Sequence, residues 1–232
     1  MAQNIPIPQC NPKANYLKYK AEIDSAVSRV LDNGYYILGP EVEAFEDEFA
    51  AYTGAKYAVG VANGTDAIEL ALLAAGVGPS DYVATVSHTA VATLSAIRRM
   101  GANPIFVDID PKFFTMSVES LEEVISLKKI KAIVVVHIYG QMAEIHKILS
   151  LAKKHNIIVI EDCAQAHGAV NGNQMAGSIG DIGCFSFYPT KNLGALGDGG
   201  AVITSNESFA KKIKSLRQYG WEERYISSSQ GI

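Results

Sequence analysis

The fold is decided at residues 157–162, which read Ile157-Ile158-Val159-Ile160-Glu161-Asp162, an apolar run rich in β-branched residues that ends in two carboxylates. A helix-period segment precedes this run at residues 144–155, and its last residues are basic, as a helix C-terminus favours. Another apolar run lies before that helix, at residues 132–137. This order of strand, helix and strand, with strands that are apolar throughout, predicts a parallel sheet covered on both faces. Because such sheets bind ligands at the carboxyl ends of their strands, we expect a site next to Asp162.

The same alternation continues in both directions along the chain. Further strands are predicted at residues 57–62, 82–86, 104–107, 183–187 and 201–204, and further helices at residues 66–75, 91–100 and 118–127. The last third differs, because seven glycines fall between Gly177 and Gly200 and helical periodicity is absent from 183 to 204. Two short strands around a Gly-rich turn fit that stretch better than another crossover helix. We therefore expect an α/β fold with a mostly parallel sheet and helices on both faces.

The composition predicts a folded chain that does not bind nucleic acid. The 232 residues include 20 Lys+Arg and 24 Asp+Glu, for a net charge of −4, and 48% of them are hydrophobic. These values exclude a disordered chain, and the absence of a Lys/Arg stripe argues against nucleic-acid binding. No apolar run approaches the roughly 20 residues that span a bilayer, and the N-terminus does not resemble a signal peptide, so no membrane partner is expected. The widely separated Cys10, Cys163 and Cys184 fit reduced thiols and a cytoplasmic location.

Three segments place reactive groups at predicted strand ends. Residues 63–65, Asn-Gly-Thr, follow a strand and open a helix, where free backbone N–H groups can bind an anion, although most such turns only cap a helix. Asp162 requires a positive partner or a donor, which is either a structural Arg or a protonated ring nitrogen. Lys191 lies in a turn of small residues, where desolvation would make it a nucleophile, whereas most lysines are solvated. A lysine, a buried acid and a phosphate cup completed by Ser186 are the groups that pyridoxal 5′-phosphate (PLP) needs.

Six motifs, standing in order, make the sequence recognisable. They are YILGPEV (36–42), NGTDA (63–67), VDID (107–110), HIYGQ (137–141), EDCAQAHGA (161–169) and GDIGCFSFYPTKNLG (180–194). With these motifs the chain resembles, over nearly its whole length, the DegT/DnrJ/StrS family of PLP-dependent nucleotide-sugar aminotransferases. The resemblance implies the large domain of a type I PLP-dependent transferase and a homodimer with a shared active site. It also implies transfer of an amino group, usually from glutamate, to a keto group of a nucleotide-linked deoxysugar.

The resemblance assigns the reacting end of the site to three residues. Lys191 would form the covalent bond to the cofactor and would move the proton during amino transfer. Asp162 would pair with the ring nitrogen, and Gln165 would lie near the phenolic oxygen of the ring. Related sugar dehydratases carry His at the position of Lys191, so the resemblance favours amino transfer over dehydration.

The resemblance assigns the phosphate to Gly64, Thr65 and Ser186. This sequence departs from the family at Ala90, because many family members have an aromatic residue at that position, over the cofactor ring. His88, two residues earlier, is the residue that we expect to take this stacking role. The alternative for His88 is an ordinary core or loop histidine.

Other conspicuous residues have ordinary structural explanations. The acidic segment 41–48 and the basic group Lys211, Lys212, Lys214 and Arg217 are expected to form solvated helix faces. His137 is expected either to line the site or to be a satisfied core residue, and His167 either to support Asp162 or to pack a helix. The histidines show no metal-ligand spacing, so no metal site is expected.

For the domain organisation, we expect an N-terminal segment (1–30) that packs on a PLP-binding large domain (31–220). Residues 221–232 are expected to begin a connection to a small C-terminal domain, which family members have and this sequence lacks. Two other interpretations therefore stay open: a non-catalytic binding or regulatory protein that keeps the fold, and a part of a longer enzyme. Residues 219–226 resemble family members that aminate carbon 3 of the sugar more than those that aminate carbon 4.

Overall fold

Helices and strands alternate through most of the chain. The structure, a computed structural model, describes residues 7–229 and Gly231. The helices are α1 (Pro12–Lys18), α2 (Lys20–Asn33), α3 (Pro40–Thr53), α4 (Gly64–Ala74), α5 (Val91–Arg99), α6 (Val118–Leu127), α7 (Ile145–His155) and α8 (Glu207–Leu216). The strands are β1 (Tyr57–Val61), β2 (Tyr82–Val86), β3 (Asn103–Val107), β4 (Ile130–Val136), β5 (Ile158–Asp162), β6 (Val170–Asn171), β7 (Gln174–Met175), β8 (Ile182–Ser186), β9 (Gly200–Thr204), β10 (Trp221–Glu223) and β11 (Ile226–Ser227).

Seven of the strands form one sheet, in the order β1-β9-β8-β5-β4-β2-β3. Strands β8, β5, β4, β2 and β3 are parallel, whereas β9 is antiparallel to both of its neighbours, β8 and β1. Strand β1 therefore points the same way as β8. The carboxyl ends of β1, β5 and β8 lie at the same edge of the sheet, which is where an open parallel sheet binds its ligand.

Helices cover both faces of this sheet, and each face has its own core. The adjacent residues Val134 and Val135 of β4 are both fully buried, yet they belong to different hydrophobic clusters because side chains alternate along a strand. Val134 packs in the cluster that contains Ile68 of α4 and Ile213 of α8. Val135 packs in the cluster that contains Ile148 of α7. This double burial explains why the central strands are apolar throughout.

The predicted fold class is confirmed, and the strand and helix bounds agree with the prediction to within two residues. The Gly-rich third also folds as predicted, since β8 and β9 pair antiparallel, from Gly183 opposite Ile203 to Ser186 opposite Gly200. Gly194 allows the connecting turn, because a Cβ there would lie 2.5 Å from the carbonyl oxygen of Pro189. The two strands and their turn could be predicted because the backbone conformations that glycine allows are a local property of the sequence.

The predicted solvated helix faces are wrong at two residues. Glu46 of α3 is only 6% exposed, and its Oε1 accepts hydrogen bonds from Gly60 N (2.8 Å) and from Arg217 Nη1 (2.5 Å). Arg217, at the end of α8, also donates to Gly60 O at 2.9 Å. The two charges neutralise each other, and the two side chains bond to the N–H and C=O groups of Gly60 in β1. They therefore form a buried ion pair rather than two solvated side chains.

The chain divides into two compact units, Met1–Ala44 and Phe45–Ile232. In the first unit, Arg29 of α2 donates to both carboxylate oxygens of Glu41, at 2.8 and 3.1 Å. The sheet lies in the second unit, as do all residues of the site described below. Within the described ranges, 7–229 and 231, no helix has both the length and the apolar character needed to cross a bilayer.

Candidate active site

A cavity of about 710 Å³ opens where the carboxyl ends of β5 and β8 meet the first turns of α4 and α5. We call it the site cavity. The residues that line it include Gly64, Thr65, Ala90, Asp162, Ser186 and Lys191. Five of the residues proposed from the sequence thus meet in one place, although Gly64 and Lys191 are more than 120 positions apart in the chain.

The start of α4 forms one wall of the site cavity and presents free backbone N–H groups there; we call this turn the anion cradle. Asn63 caps the helix, with its Oδ1 accepting from Asp66 N at 2.9 Å. The N–H groups of Gly64 and Thr65 have no acceptor within the helix, and the helix dipole favours a negative charge in front of them. Ser186 lies directly against this turn, since a Cβ at Gly64 would be 2.6 Å from the Cβ of Ser186. The oxygen of Ser186 accepts from Tyr188 N at 3.3 Å, so its proton is available to a bound anion.

Asp162 lies at the end of β5, also lines the site cavity, and is only 5% exposed. Burial raises the pKa of its carboxyl, and the hydrogen bond from the Thr93 hydroxyl is the main influence in the other direction. Thr93 Oγ1 donates to Oδ2 at 2.8 Å, and Ala164 N donates to Oδ1 at 3.1 Å. A cationic group in the site cavity would stabilise the charged carboxylate against the cost of burial.

Lys191 borders two spaces at once. Besides the site cavity, it lines a smaller pocket of about 20 Å³, together with Asp162, Thr89 and Gln165. The turn that carries Lys191 is closed by its own N–H, which donates to Tyr188 O at 2.8 Å. Lys191 and the buried Asp162 thus border the same two spaces.

Gln165 reaches the smaller pocket with its side chain already engaged. Its Oε1 accepts from the backbone N–H of Tyr139 at 2.9 Å. Tyr139 follows β4 with a φ of 58°, a left-handed conformation that is uncommon for a residue with a side chain. The hydrogen bond from the Tyr139 N–H to Gln165 holds this strained turn at the edge of the site.

The structure places His88 next to Tyr139, at the edge of the site. His88 is not among the described residues that line the site cavity or the smaller pocket, whereas Ala90 lines both. The His88 ring instead packs edge-on against Tyr139, with 5.7 Å between ring centroids.

Glu161 precedes Asp162 and organises the back of the site. Its side chain is fully buried, and its oxygens accept from His137 Nε2 (2.8 Å), Gly177 N (3.0 Å), Ile179 N (2.9 Å) and Gly180 N (2.5 Å). Burial by itself would raise the pKa of Glu161, but the hydrogen bonds from His137 and the backbone outweigh it, and the net shift is downward. His137 Nδ1 accepts from Ala143 N at 3.2 Å, so the ring proton lies on Nε2 and is donated to Glu161.

This network explains an arrangement that otherwise resembles a metal site. Donor atoms of His137, Glu161 and Cys163 lie within 4.8 Å of one another in the core. Both oxygens of Glu161 are already bonded to N–H donors, and His137 Nδ1 is occupied by a backbone N–H. The cluster is therefore a satisfied polar core that ties β4, β5 and the loop before β8 together. His137 is a satisfied core residue that also borders the smaller pocket.

His167 belongs to a different space. It lines a cavity of about 680 Å³ with Phe49, Tyr52 and Phe187, and its ring centroid lies 5.7 Å from that of Phe187. Burial lowers the pKa of His167 to about 4, so the imidazole is neutral at ordinary pH. Of the two roles considered for His167, the contacts favour packing.

Sequence reasoning missed Thr93 and the backbone N–H of Ala164, the two groups that hold Asp162. A signal for Thr93 was present, because Thr89 and Thr93 stand four residues apart where a strand gives way to a helix. For Ala164 no signal existed, since any residue other than proline supplies a backbone N–H.

Comparison with known proteins identifies the family of this chain. A family model described as the DegT/DnrJ/EryC1/StrS aminotransferase family matches residues 18–232. The chain belongs to this family. The DegT/DnrJ/EryC1/StrS membership and the sheet topology together confirm the expected large domain of a PLP-dependent aminotransferase fold.

Several DegT/DnrJ/EryC1/StrS proteins are closely similar to this chain. It is 44% identical over 225 residues to the UDP-N-acetyl-3-dehydro-alpha-D-glucosamine 3-aminotransferase of Acidithiobacillus ferrooxidans, with 97% of this chain and 61% of that protein covered. It is 46% identical over 210 residues to the dTDP-3-amino-3,4,6-trideoxy-alpha-D-glucose transaminase of Micromonospora megalomicea, with 90% and 56% covered. DesV of S. venezuelae, crystallised in complex with a ketimine intermediate, superposes with a TM-score of 0.94 at 42% identity, with 97% and 60% covered. The chain thus spans about three-fifths of the length of these proteins.

Proposed function

We propose that this chain carries the PLP site of an aminotransferase that adds an amino group to carbon 3 of a nucleotide-linked keto sugar. One observation carries the proposal: Lys191 and the buried Asp162 border the same cavity, in front of the anion cradle at the start of α4. A lysine, a buried acid and a phosphate cup are the groups that PLP requires. Family membership supports the same conclusion.

The residues present fit the cofactor. The phosphate would lie at the N–H groups of Gly64 and Thr65 with the hydroxyl of Ser186, in a cradle that a side chain at position 64 would fill. When bound, PLP supplies an aldehyde that condenses with amines and a ring that withdraws electrons from the reacting carbon. Asp162 would face the ring nitrogen, and its raised pKa suits a carboxyl that awaits a cationic partner.

The protein's own groups would then do three things. The amine of Lys191 would hold the cofactor and afterwards, once released, would move a proton between adjacent carbon atoms as a general base and acid. Asp162 would keep a proton on the ring nitrogen. The cradle at α4 would fix the phosphate, so that the reacting atoms stay next to Lys191.

The substrate assignment rests on the relatives and is part of the proposal. The two curated relatives are named for chemistry at carbon 3 of the sugar, one with UDP and one with dTDP as the nucleotide. We extend carbon 3 to this chain, in agreement with the resemblance of residues 219–226, and take glutamate as the amino donor, as the family resemblance implies.

Assembly and location are also proposals. We propose a homodimer whose active sites are shared, because the family resemblance implies one. The exposed Tyr219 and Tyr225, which lie on either side of Trp221 with ring centroids 5.2 Å from it, are suited to a protein interface. A cytoplasmic location is supported by cysteines that are free in the described structure, Cys163 and Cys184 being buried.

The proposal is tested by incubating the chain with PLP, glutamate and either UDP- or dTDP-linked 3-keto sugars, and by following the product with NMR. A new amine at carbon 3 with the wild-type chain, and none with Lys191→Ala, is the expected result. An amine at carbon 4 would overturn the assignment of carbon 3. If the chain has bound PLP at Lys191 and yields no product, the proposed substrate class is wrong. Absence of any bound PLP overturns the cofactor.

A further inference from the structure

Thr93 occupies a position where an apolar side chain would be ordinary. It lies on α5 and is completely buried, facing β5. Its hydroxyl lies between two oxygens, 2.8 Å from Thr89 Oγ1 and 2.8 Å from Asp162 Oδ2. A buried hydroxyl with two partners at this distance is a specific arrangement rather than packing alone.

The direction of these hydrogen bonds follows from the charge of the carboxyl. When Asp162 is ionised, as a partner of a protonated ring nitrogen must be, its carboxylate only accepts, so Thr93 donates to Asp162. Having given its single proton to Asp162, Thr93 must accept from Thr89. The two threonines therefore form a relay in one direction, which begins in the loop after β2 and ends on the acid of β5.

The relay fixes the orientation of Asp162. Thr93 holds Oδ2 and the backbone N–H of Ala164 holds Oδ1, so the plane of the carboxylate is set from both sides. Asp162 lines both the site cavity and the smaller pocket, so the carboxylate that is held in this way borders both spaces. Thr89 lines the smaller pocket as well, and so links its wall to the acid.

We propose that Thr93 is a positioning residue for amino transfer, whose hydroxyl, oriented by Thr89, holds the carboxylate of Asp162 in the rotamer that receives the ring nitrogen of the cofactor. This inference rests on the proposed function, because it names the group that makes Asp162 an effective partner for PLP. A carboxylate that accepts a strong hydrogen bond is also a weaker base, so a proton shared with the ring nitrogen stays on the nitrogen.

Other groups near Asp162 carry or could carry charge, and the relay acts in addition to them. They are Lys191 after β8, His137 after β4, Cys163 beside the acid, and Cys184 opposite it on β8. The substitution Thr93→Val leaves all of them in place. It also keeps the branched shape of the side chain and replaces the hydroxyl with a methyl group.

The first measurement is PLP affinity, by absorbance titration of the wild type, Thr93→Val and Thr93→Ser. Loss of one hydrogen bond to a charged group predicts that Thr93→Val binds PLP about tenfold more weakly. Thr93→Ser keeps the hydroxyl, so we expect an affinity within about twofold of wild type. Equal affinities for wild type and Thr93→Val would overturn the proposal.

The second measurement needs no cofactor. Thermal melts at about pH 5 and about pH 7.5 compare the same variants, in the wild-type and the Asp162→Asn backgrounds. The relay stabilises the charged carboxylate, so the loss of melting temperature in Thr93→Val should be larger at the higher pH. Asp162→Asn should abolish this pH dependence, and Thr93→Ser should show a loss that is the same at both pH values.

The two measurements separate the two claims. If the wild type binds no PLP, the proposed function fails, and the melts alone decide whether Thr93 acts on the charge of Asp162. If Thr93→Val loses the same melting temperature at both pH values, Thr93 is a packing residue and the inference is overturned.

Discussion

Gly64→Ala tests the anion cradle at the start of α4, because the substitution adds one carbon atom there. The added Cβ would lie 2.6 Å from the Cβ of Ser186 and 3.3 Å from its Cα, and these two atoms belong to β8. Ordinary contact begins at 3.4 Å, so the start of α4 and the end of β8 must separate by about 0.8 Å. Overpacking of this kind costs about 1–3 kcal/mol, partly offset by about 0.4–1 kcal/mol from the stiffer unfolded chain.

The consequence for binding is larger than the consequence for stability. A net loss of about 1 kcal/mol lowers the melting temperature by about 2–4 °C in a chain of this size. A displacement of about 0.8 Å would break at least one of the proposed hydrogen bonds to the phosphate. Such a bond is worth about 1.5–3 kcal/mol, so PLP binding is predicted to be at least about tenfold weaker.

The assay is an absorbance titration with PLP, paired with a thermal melt of the chain without cofactor. Gly78→Ala is the matched control, because nothing lies within 4 Å of a Cβ at Gly78 and its backbone does not require glycine. We expect this control to bind PLP as the wild type does. If Gly64→Ala also binds like the wild type while its melting temperature falls, the start of α4 is a helix cap and not a phosphate cradle.

Two further predictions concern stability. Arg217→Met leaves the buried Glu46 with the Gly60 N–H and, as its counter-charge, the half-exposed Lys214 at 3.5 Å, and should cost about 3 kcal/mol in urea unfolding. Lys211→Ala, at an exposed ion pair, should not move the midpoint. Equal midpoints for the two variants would show that the Glu46 pair is not structural. Because burial lowers the pKa of His167 from 6.5 to about 4, the folded chain binds fewer protons than the unfolded chain between these values, and stability falls as pH drops through that window. His167→Leu should flatten the decrease in melting temperature between about pH 7.5 and about pH 5, and an unchanged decrease would contradict a buried neutral imidazole.

Much of the site could be predicted because its residues stand at positions that local rules identify. Asp162 ends an apolar strand, Gly64 opens a helix after a strand, and Lys191 lies in a turn closed by glycine. Once the strands are parallel and adjacent, their carboxyl ends must share an edge, so the residues meet although they are far apart in sequence.

What could not be predicted depends on contacts across long stretches of chain. Thr93 and Asp162 are 69 positions apart, and Glu46 and Arg217 are 171 positions apart. The helical period of 41–48 predicts a helix. It does not predict that Glu46 pairs with Arg217. For His88 the motif gives the position of the loop but not the direction of its side chains, and Ala90, not His88, is among the described residues that line the two cavities.

The most direct test of the account is the chemical location of PLP on the chain. The chain is incubated with PLP and reduced with borohydride, and the digest is analysed by mass spectrometry for a pyridoxyl group. The account predicts this group on Lys191, with Asp162→Asn lowering its yield. A pyridoxyl group at any other lysine, or none after reduction, would contradict the claim that Lys191 and Asp162 form a PLP site.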